Sequence, residues 1–337
     1  MKHPYLLNLL LLILALLLSV AVGTVFIPPG TLIRMFLGQI KGVIESPDWS
    51  AAFQTIVFQI RLPHTILMAL TGMALGGSGA AYQGLFRNPL ADPYLIGVAS
   101  GAGLGAVLAM ALREQGVGMG LFGVPVAAFA GALITVAVVY SLSHAANADS
   151  TTTLILAGVA VGSFTSALTS FLMLRSQGEL RRSIAWLLGG AMLNGWEPVL
   201  AELPYIALGL AVLLTSGHAL NVLQFGEEQA AQLGLPVKRA RGIIVLAASL
   251  TTAAAISFSG IIGFIGLVVP HVIRLIWGTD YRRLISVSIL GGATALLLAD
   301  VLARWVMSSQ DVPVGIVTAL VGAPFFFWVL FRYSRKV

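Results

Sequence analysis

Long apolar stretches, separated by short polar or Gly/Pro-marked breaks, recur from one end of the chain to the other, beginning with Tyr5–Phe26 and ending with Val314–Phe331. A membrane-crossing helix needs about 20 predominantly apolar residues. By that length rule the pattern predicts about ten spans, near residues 5–27, 62–82, 94–112, 121–143, 152–174, 199–217, 240–258, 262–277, 284–305 and 314–331. The expected fold is an all-α integral membrane protein with one transmembrane domain over residues 1–337.

Small residues repeat at four-residue spacing in Gly72/Gly76/Ala80, Gly101/Gly105 and Gly158/Gly162. This spacing lets helix backbones approach closely in lipid, so the bundle is expected to be compact.

Composition removes the soluble alternative. Hydrophobic residues make up 58% of the 337 and charged residues only 9%, too few to cover the surface of a water-soluble domain. The net charge of +6 comes from basic residues scattered between apolar runs, without the sustained stripe that nucleic acid requires. There is no cysteine, which excludes disulfides, thiolate metal sites and Cys nucleophiles.

Lys2 and His3 precede the first run, and Ser19-Val20-Ala21 resembles a signal-peptide cleavage site. The run is longer than a signal h-region and is read as a retained first helix. With a cytoplasmic N-terminus, ten crossings return the C-terminus, with Arg332, Arg335 and Lys336, to the cytoplasm. The inward loops then hold Arg87, Lys238, Arg239, Arg241, Arg282 and Arg283. The outward segments also carry Arg34, Lys41, Arg61, Arg113, Arg175, Arg181, Arg182 and Arg304, so the bias is modest.

Ionisable residues lie near span ends. Asp300 and Arg304, four apart on one helix face, can neutralise one another where each alone would cost about 2.5–3.5 kcal/mol at mid-bilayer. His271 and Arg274 are read as a similar pair three apart. A proton relay and structural pairing near an interface both fit these pairs, and the pairing is preferred.

Gly76-Gly77-Ser78-Gly79 matches the GxSG pattern of intramembrane serine proteases, with His271 as a candidate base. Such a pattern arises readily in a glycine-rich helix. Gly101-Ala102-Gly103-Leu104-Gly105 lacks the βαβ surroundings of a dinucleotide loop. None of the four lysines, at 2, 41, 238 and 336, follows a glycine, so the chain carries no Walker A loop. ATP-driven transport would need a separate nucleotide-binding subunit.

The segment from Leu220 to Pro236 reads as two short helical pieces broken at Gly226 and stopped by Gly234 and Pro236. Leu220, Leu223, Phe225 and Leu233 offer apolar contacts. Glu227 and Glu228 occupy the first turn of the second piece, where the helix dipole favours them. On local sequence alone, a docking site for a partner and an interfacial helix lying on lipid fit equally well.

Arg61-Leu62-Pro63-His64, Gln83–Pro93 running into Gly97–Gly101, Trp186–Gly190, the Gly226-Glu227-Glu228…Leu233-Gly234 loop, Gly263–His271, Leu298–Arg304 and Pro313–Pro324 occur in an order that resembles the FecCD-type ABC transporter permease family. Members serve importers of iron–siderophores, haem and vitamin B12. The likeness runs from about residue 61 to 324.

It implies a ten-helix bundle of the type II ABC importer permease kind in the bacterial inner membrane. The subunit would pair with a second copy, dock two cytoplasmic ATPase subunits that bind ATP and Mg, and receive a periplasmic or lipid-anchored substrate-binding protein outside. The permease itself would bind no cofactor and do no covalent chemistry. The resemblance makes Leu220–Leu235 the ATPase-coupling element and places Arg61 and Arg304 as docking contacts for the binding protein. His64 stands where the family often has a further arginine. The alternatives are lipid snorkelling for Arg61 and the Asp300 pair for Arg304. Segment Glu179–Leu188 is expected along the outer surface. An iron–siderophore leads the expected cargo, before corrinoids and haem. An ion-coupled secondary transporter and an intramembrane serine protease are the competing classes.

Overall fold

The computed structural model describes residues 3–23, 25–38, 49–145, 151–176, 178–190, 193–306 and 312–334, the side chains of 330 and 332–334 excepted. Lys2, Lys41, Arg335, Lys336 and the side chain of Arg332 lie outside the described residues.

Every regular element among the described residues is helical: α1 Pro4–Ala21, α2 Pro29–Leu37, α3 Ala51–Thr55, α4 Leu62–Leu85, α5 Val98–Glu114, α6 Gly123–Ala145, α7 Thr151–Arg175, α8 Leu180–Leu187, α9 Trp196–Thr215, α10 Gly217–Leu223, α11 Glu227–Gln232, α12 Val237–Ser259, α13 Ile265–Trp277, α14 Tyr281–Val306 and α15 Val314–Ser334. Among them, 7 stretches are long and apolar enough to cross a membrane. α5 and α13 supply two of the remaining predicted spans in shorter form, and α15 supplies the last.

The first predicted span is too long at its C-terminal end. α1 stops at Ala21, Val22 is extended, and α2 starts separately after Pro28. The second is too short, because α3 and a π turn over Ile56–Arg61 run straight into α4. The wider turn precedes Pro63, which has no N–H to continue the regular ladder.

α4 is the central helix. Every residue from Ala74 to Leu85 is buried, and the helix packs on α9, α12, α13 and α14. Its contact with α14 is backbone against backbone: a Cβ on Gly72 would lie 2.4 Å from the Gly292 carbonyl oxygen, and one on Gly76 would lie 2.2 Å from that of Ser288. The small-residue spacing thus corresponds to a close crossing. Polar side chains on α4 are satisfied by neighbouring helices: Ser78 Oγ donates to Ala248 O at 3.2 Å, Tyr82 OH meets Ser249 Oγ at 2.8 Å, and Gln83 Nε2 donates to Leu267 O at 3.0 Å.

Two predicted spans begin later than the apolar runs suggest. Residues 86–97 and 260–264 are not α-helical, yet Ala91, Pro93, Ile96 and Ile262 among them are buried. Pro89 and Pro93 interrupt the first stretch, and Asp92 caps the short 3-10 turn Pro93–Ile96 by accepting from Tyr94 N at 2.8 Å. Tyr94 OH then donates to Ile262 O at 2.8 Å, joining the two stretches. Irregular backbone at membrane depth persists only where protein satisfies it, and this hydrogen bond does so. Phe264, at φ 70° in the left-handed region, turns the chain into α13 and lies against Gly322 of α15.

Candidate functional site

The predicted coupling segment forms α10 and α11, linked by Gln224-Phe225-Gly226. Gly226 has φ 105° and ψ 159°, a conformation essentially confined to glycine. The second piece ends with paired hydrogen bonds, Gly234 N to Ala231 O and Leu235 N to Ala230 O, both at 3.0 Å, around Gly234 at φ 85°. That arrangement satisfies carbonyls that a helix end leaves open.

The segment is fastened to the bundle from below. Leu220 and Leu223 were expected to contact a partner, but both are buried in the protein core. They are the anchors of the loop, since each lies on the α10 face turned to the bundle. Gln224 Nε2 donates to Gly84 O at 2.9 Å. Asn221 forms a two-way staple to the start of α14: its Nδ2 donates to Asp280 Oδ1 at 2.7 Å and its Oδ1 accepts from Tyr281 N at 2.8 Å. The Asn221 hydrogen bond holds the Asp280 carboxyl below the usual carboxylate range, aided by the Arg282 backbone N–H.

Phe225 and Leu233, by contrast, are 66% and 67% exposed. Glu227 pairs with Arg241 on α12, whereas Glu228 is exposed and makes no hydrogen bond or ion pair among the described residues. The loop therefore presents two large apolar side chains and one acid on a rigid base.

Beside it opens a cleft of about 480 Å³ whose lining includes Gln83, Arg87, Gln224, Phe225, Arg274 and Asp280. The sequence does not display this cleft, because its residues come from three separated segments. The expected pairing of Arg274 with His271 is replaced by other contacts: Arg274 Nη2 donates to Gln83 Oε1 at 2.9 Å, and its guanidinium stands over the Tyr281 ring.

At the opposite end of the bundle, Arg61, His64 and Arg304 converge on the C-terminus of α1. Arg61 is 7% exposed. Its Nη1 donates to Val20 O at 3.0 Å and Ala21 O at 3.1 Å, and its Nη2 to Val25 O at 2.5 Å. Arg304 Nη1 donates to Ser19 O at 3.1 Å and Val22 O at 2.6 Å, and its Nη2 to Asp300 Oδ2 at 2.7 Å. His64 Nε2 meets Asp300 Oδ1 at 3.0 Å. The last carbonyls of a helix lack intrahelical donors and carry its negative dipole end, so two guanidinium groups are matched to this terminus. The expected outward-facing Arg61 is thus turned inward, and the pairing of Asp300 with Arg304 is present.

The Glu179–Leu188 segment forms α8 with its two capping residues. Trp186 is buried and its carbonyl accepts from Ile261 N at 3.4 Å, while Arg182 pairs with Glu179 at 3.0 Å on the exposed side. Ser78 and His271 are not brought into hydrogen bonding with one another: Ser78 is committed to Ala248 O, and the His271 ring lies by the Pro89 backbone instead.

The sequence profile of the FecCD transport family spans residues 11–332. The chain is 41% identical over 98% of its length to the uncharacterised ABC transporter permease protein YvrB of Bacillus subtilis, covering 94% of that protein. It is 47% identical over 82% of its length to the cobalamin import system permease protein BtuC of Halobacterium salinarum, covering 73% of that chain. Identity to the vitamin B12 import system permease protein BtuC of Salmonella typhi is 40%, over 97% of this chain and 94% of the relative. A solved structure of a transporter assigned to the metal-chelate ABC type, in an inward-facing conformation, superposes with TM-score 0.83 and 30% identity over 96% of this chain and 97% of that one. A loop anchored from within, a clamped first helix and matches across nearly the whole length agree: this chain is a multi-pass ABC importer permease belonging to the FecCD transport family.

Proposed function

We propose that the chain is the homodimeric translocation subunit of a binding-protein-dependent importer in the bacterial inner membrane, and that it carries a bulky metal-bearing chelate. Two ATPase subunits, holding ATP and Mg, dock at the α10–α11 end, which faces the cytoplasm together with both termini. A periplasmic or lipid-anchored binding protein docks at the α1–α14 end. Nucleotide binding and hydrolysis shift the α10–α11 loop and bias the bundle between its two access states. The chain itself contributes no ATPase site.

A corrinoid ranks ahead of the ferric siderophore favoured by sequence reading, and haem follows. The reason is that relatives at 47% and 40% identity are named as cobalamin and vitamin B12 permeases.

The observation that carries the docking assignment is the contrast within one loop: Leu220 and Leu223 buried, Phe225 and Leu233 two-thirds exposed. An interfacial helix resting on lipid would turn its leucines toward the acyl chains, whereas here they anchor the loop and leave protruding apolar side chains beside acidic Glu228. Phe225→Glu with Leu233→Glu should abolish co-purification of the ATPase while leaving the thermal transition of the bundle unchanged. Retained co-purification would remove the assignment.

The outward role of Arg61, His64 and Arg304 is recast as indirect. By holding the end of α1 against α4 and α14, they set the position of the segment leading to α2, where the binding protein would land. The residues of α8 turned outward, Arg181 and Arg182, are the more accessible basic contacts.

A further inference from the structure

Arg274 and Arg87 share the cleft beside the α10–α11 loop, and neither guanidinium has an acidic partner there. Arg274 is half-buried; one of its amino groups bonds to neutral Gln83 and Tyr281, and the other, Nη1, is buried with no hydrogen-bond partner. A buried charged donor without an acceptor is costly, more so than a neutral one. Arg87 is exposed and is held at φ 50°, and its side chain makes no hydrogen bond or ion pair among the described residues; its Nη1 lies 3.6 Å from where a Gly226 side chain would begin. The one carboxylate lining the cleft, Asp280, is already engaged by Asn221 and the Arg282 N–H.

We propose that this cleft is a socket for an acidic side chain of the ATPase subunit, which enters beside Phe225 and is bound between Arg87 and Arg274. The inference rests on the reading that the α10–α11 loop receives the ATPase, and it adds which chemistry the partner must bring. Three features favour a protein carboxylate as the occupant. The socket is continuous with the exposed part of the loop, because Gln224 and Phe225 form one of its walls. Its volume of about 480 Å³ holds a side chain and its flanking backbone. Its two unpaired cations match a carboxylate, which Arg recognises in paired, oriented hydrogen bonds. A partner acid placed there would also couple its own movement to α4, α13 and α14 together, since Gln83, Arg274 and Tyr281 are already linked.

The test uses the assembled transporter. The chain with Arg87→Lys retains the charge at an exposed position and supplies a primary amine for zero-length carbodiimide coupling, which joins amine and carboxyl with loss of water. Treatment of the complex in phosphatidylcholine nanodiscs should give an amide link from position 87 to one Asp or Glu of the ATPase, located by mass spectrometry. In parallel, Arg274→Gln should weaken ATPase association about tenfold or more, as expected when one partner of a desolvated charge pair is lost. If coupling occurs only to Asp280 or Glu228 of this chain, or not at all, while Phe225→Glu still releases the ATPase, the socket is wrong and the loop assignment stands. If neither variant nor Phe225→Glu affects association, the loop assignment itself fails. If Arg274→Gln acts only in nanodiscs containing anionic lipid, the occupant is a lipid phosphate and the socket proposal is overturned.

Discussion

His64 Nε2 lies 3.0 Å from Asp300 Oδ1, on the carboxylate oxygen opposite to the one that Arg304 Nη2 binds at 2.7 Å. A single buried acid therefore bridges α4 and α14, and through Arg304 it reaches the last carbonyls of α1. Three helices distant in sequence are fixed by one carboxylate.

Asp300→Asn should lower stability by about 3 kcal/mol, the lower end of the range for removing one partner of a buried ion pair. Thermal unfolding in detergent measures this. Combining the substitution with Arg304→Gln should cost less than the sum of the two single changes, because both remove the same contact.

Arg61→Gln removes up to three donations, two to the α1 terminus and one to Val25 O beyond it. Amides near Val25 should lose hydrogen-exchange protection while those of α12 keep theirs. Any weakening of binding-protein docking should be nearly independent of salt, in contrast to an exposed charge contact, which is screened.

Gly76→Ala places a Cβ about 2 Å from the Ser288 carbonyl oxygen, and backbone on backbone cannot yield as a flexible side chain does. Overpacking of this kind costs about 1–3 kcal/mol, to be read as a lowered melting temperature. Gly30→Ala, with open space around the same position, should shift it little.

The joint between α10 and α14 depends on Asn221. Asn221→Ala should cost about 1–3 kcal/mol of local stability and loosen the loop, seen as faster proteolysis between residues 217 and 235. The folded Asp280 carboxyl titrates below its unfolded value. Its contribution is thus complete at neutral pH and is lost only as pH falls below the ordinary carboxylate range. Nicking rates should be flat from pH 6 to 8 and rise only in acid.

Much of this architecture is legible in the sequence. Apolar runs locate a helix at each of the predicted spans, and the glycines at 72 and 76 mark a real backbone crossing. What escapes is governed by long-range pairing. Nothing local shows that Tyr94 will hold Ile262, so the non-helical stretches before α5 and α13 read as parts of continuous spans. Composition alone also cannot say that Leu220 and Leu223 turn inward while Phe225 turns outward, because a seven-residue helix is too short to display a face. Arg61 reads as an exposed cation because the acceptors it meets are backbone carbonyls, which leave no mark in the sequence.

The most direct measurement is uptake into proteoliposomes containing the wild-type chain, its ATPase subunit and its binding protein, with cobalamin, ferric siderophore and haem offered in parallel. The account predicts uptake of one chelate, cobalamin first, that requires ATP and both partners and disappears with Phe225→Glu plus Leu233→Glu. Uptake driven by an ion gradient without ATP, or undiminished by that double substitution, would contradict it.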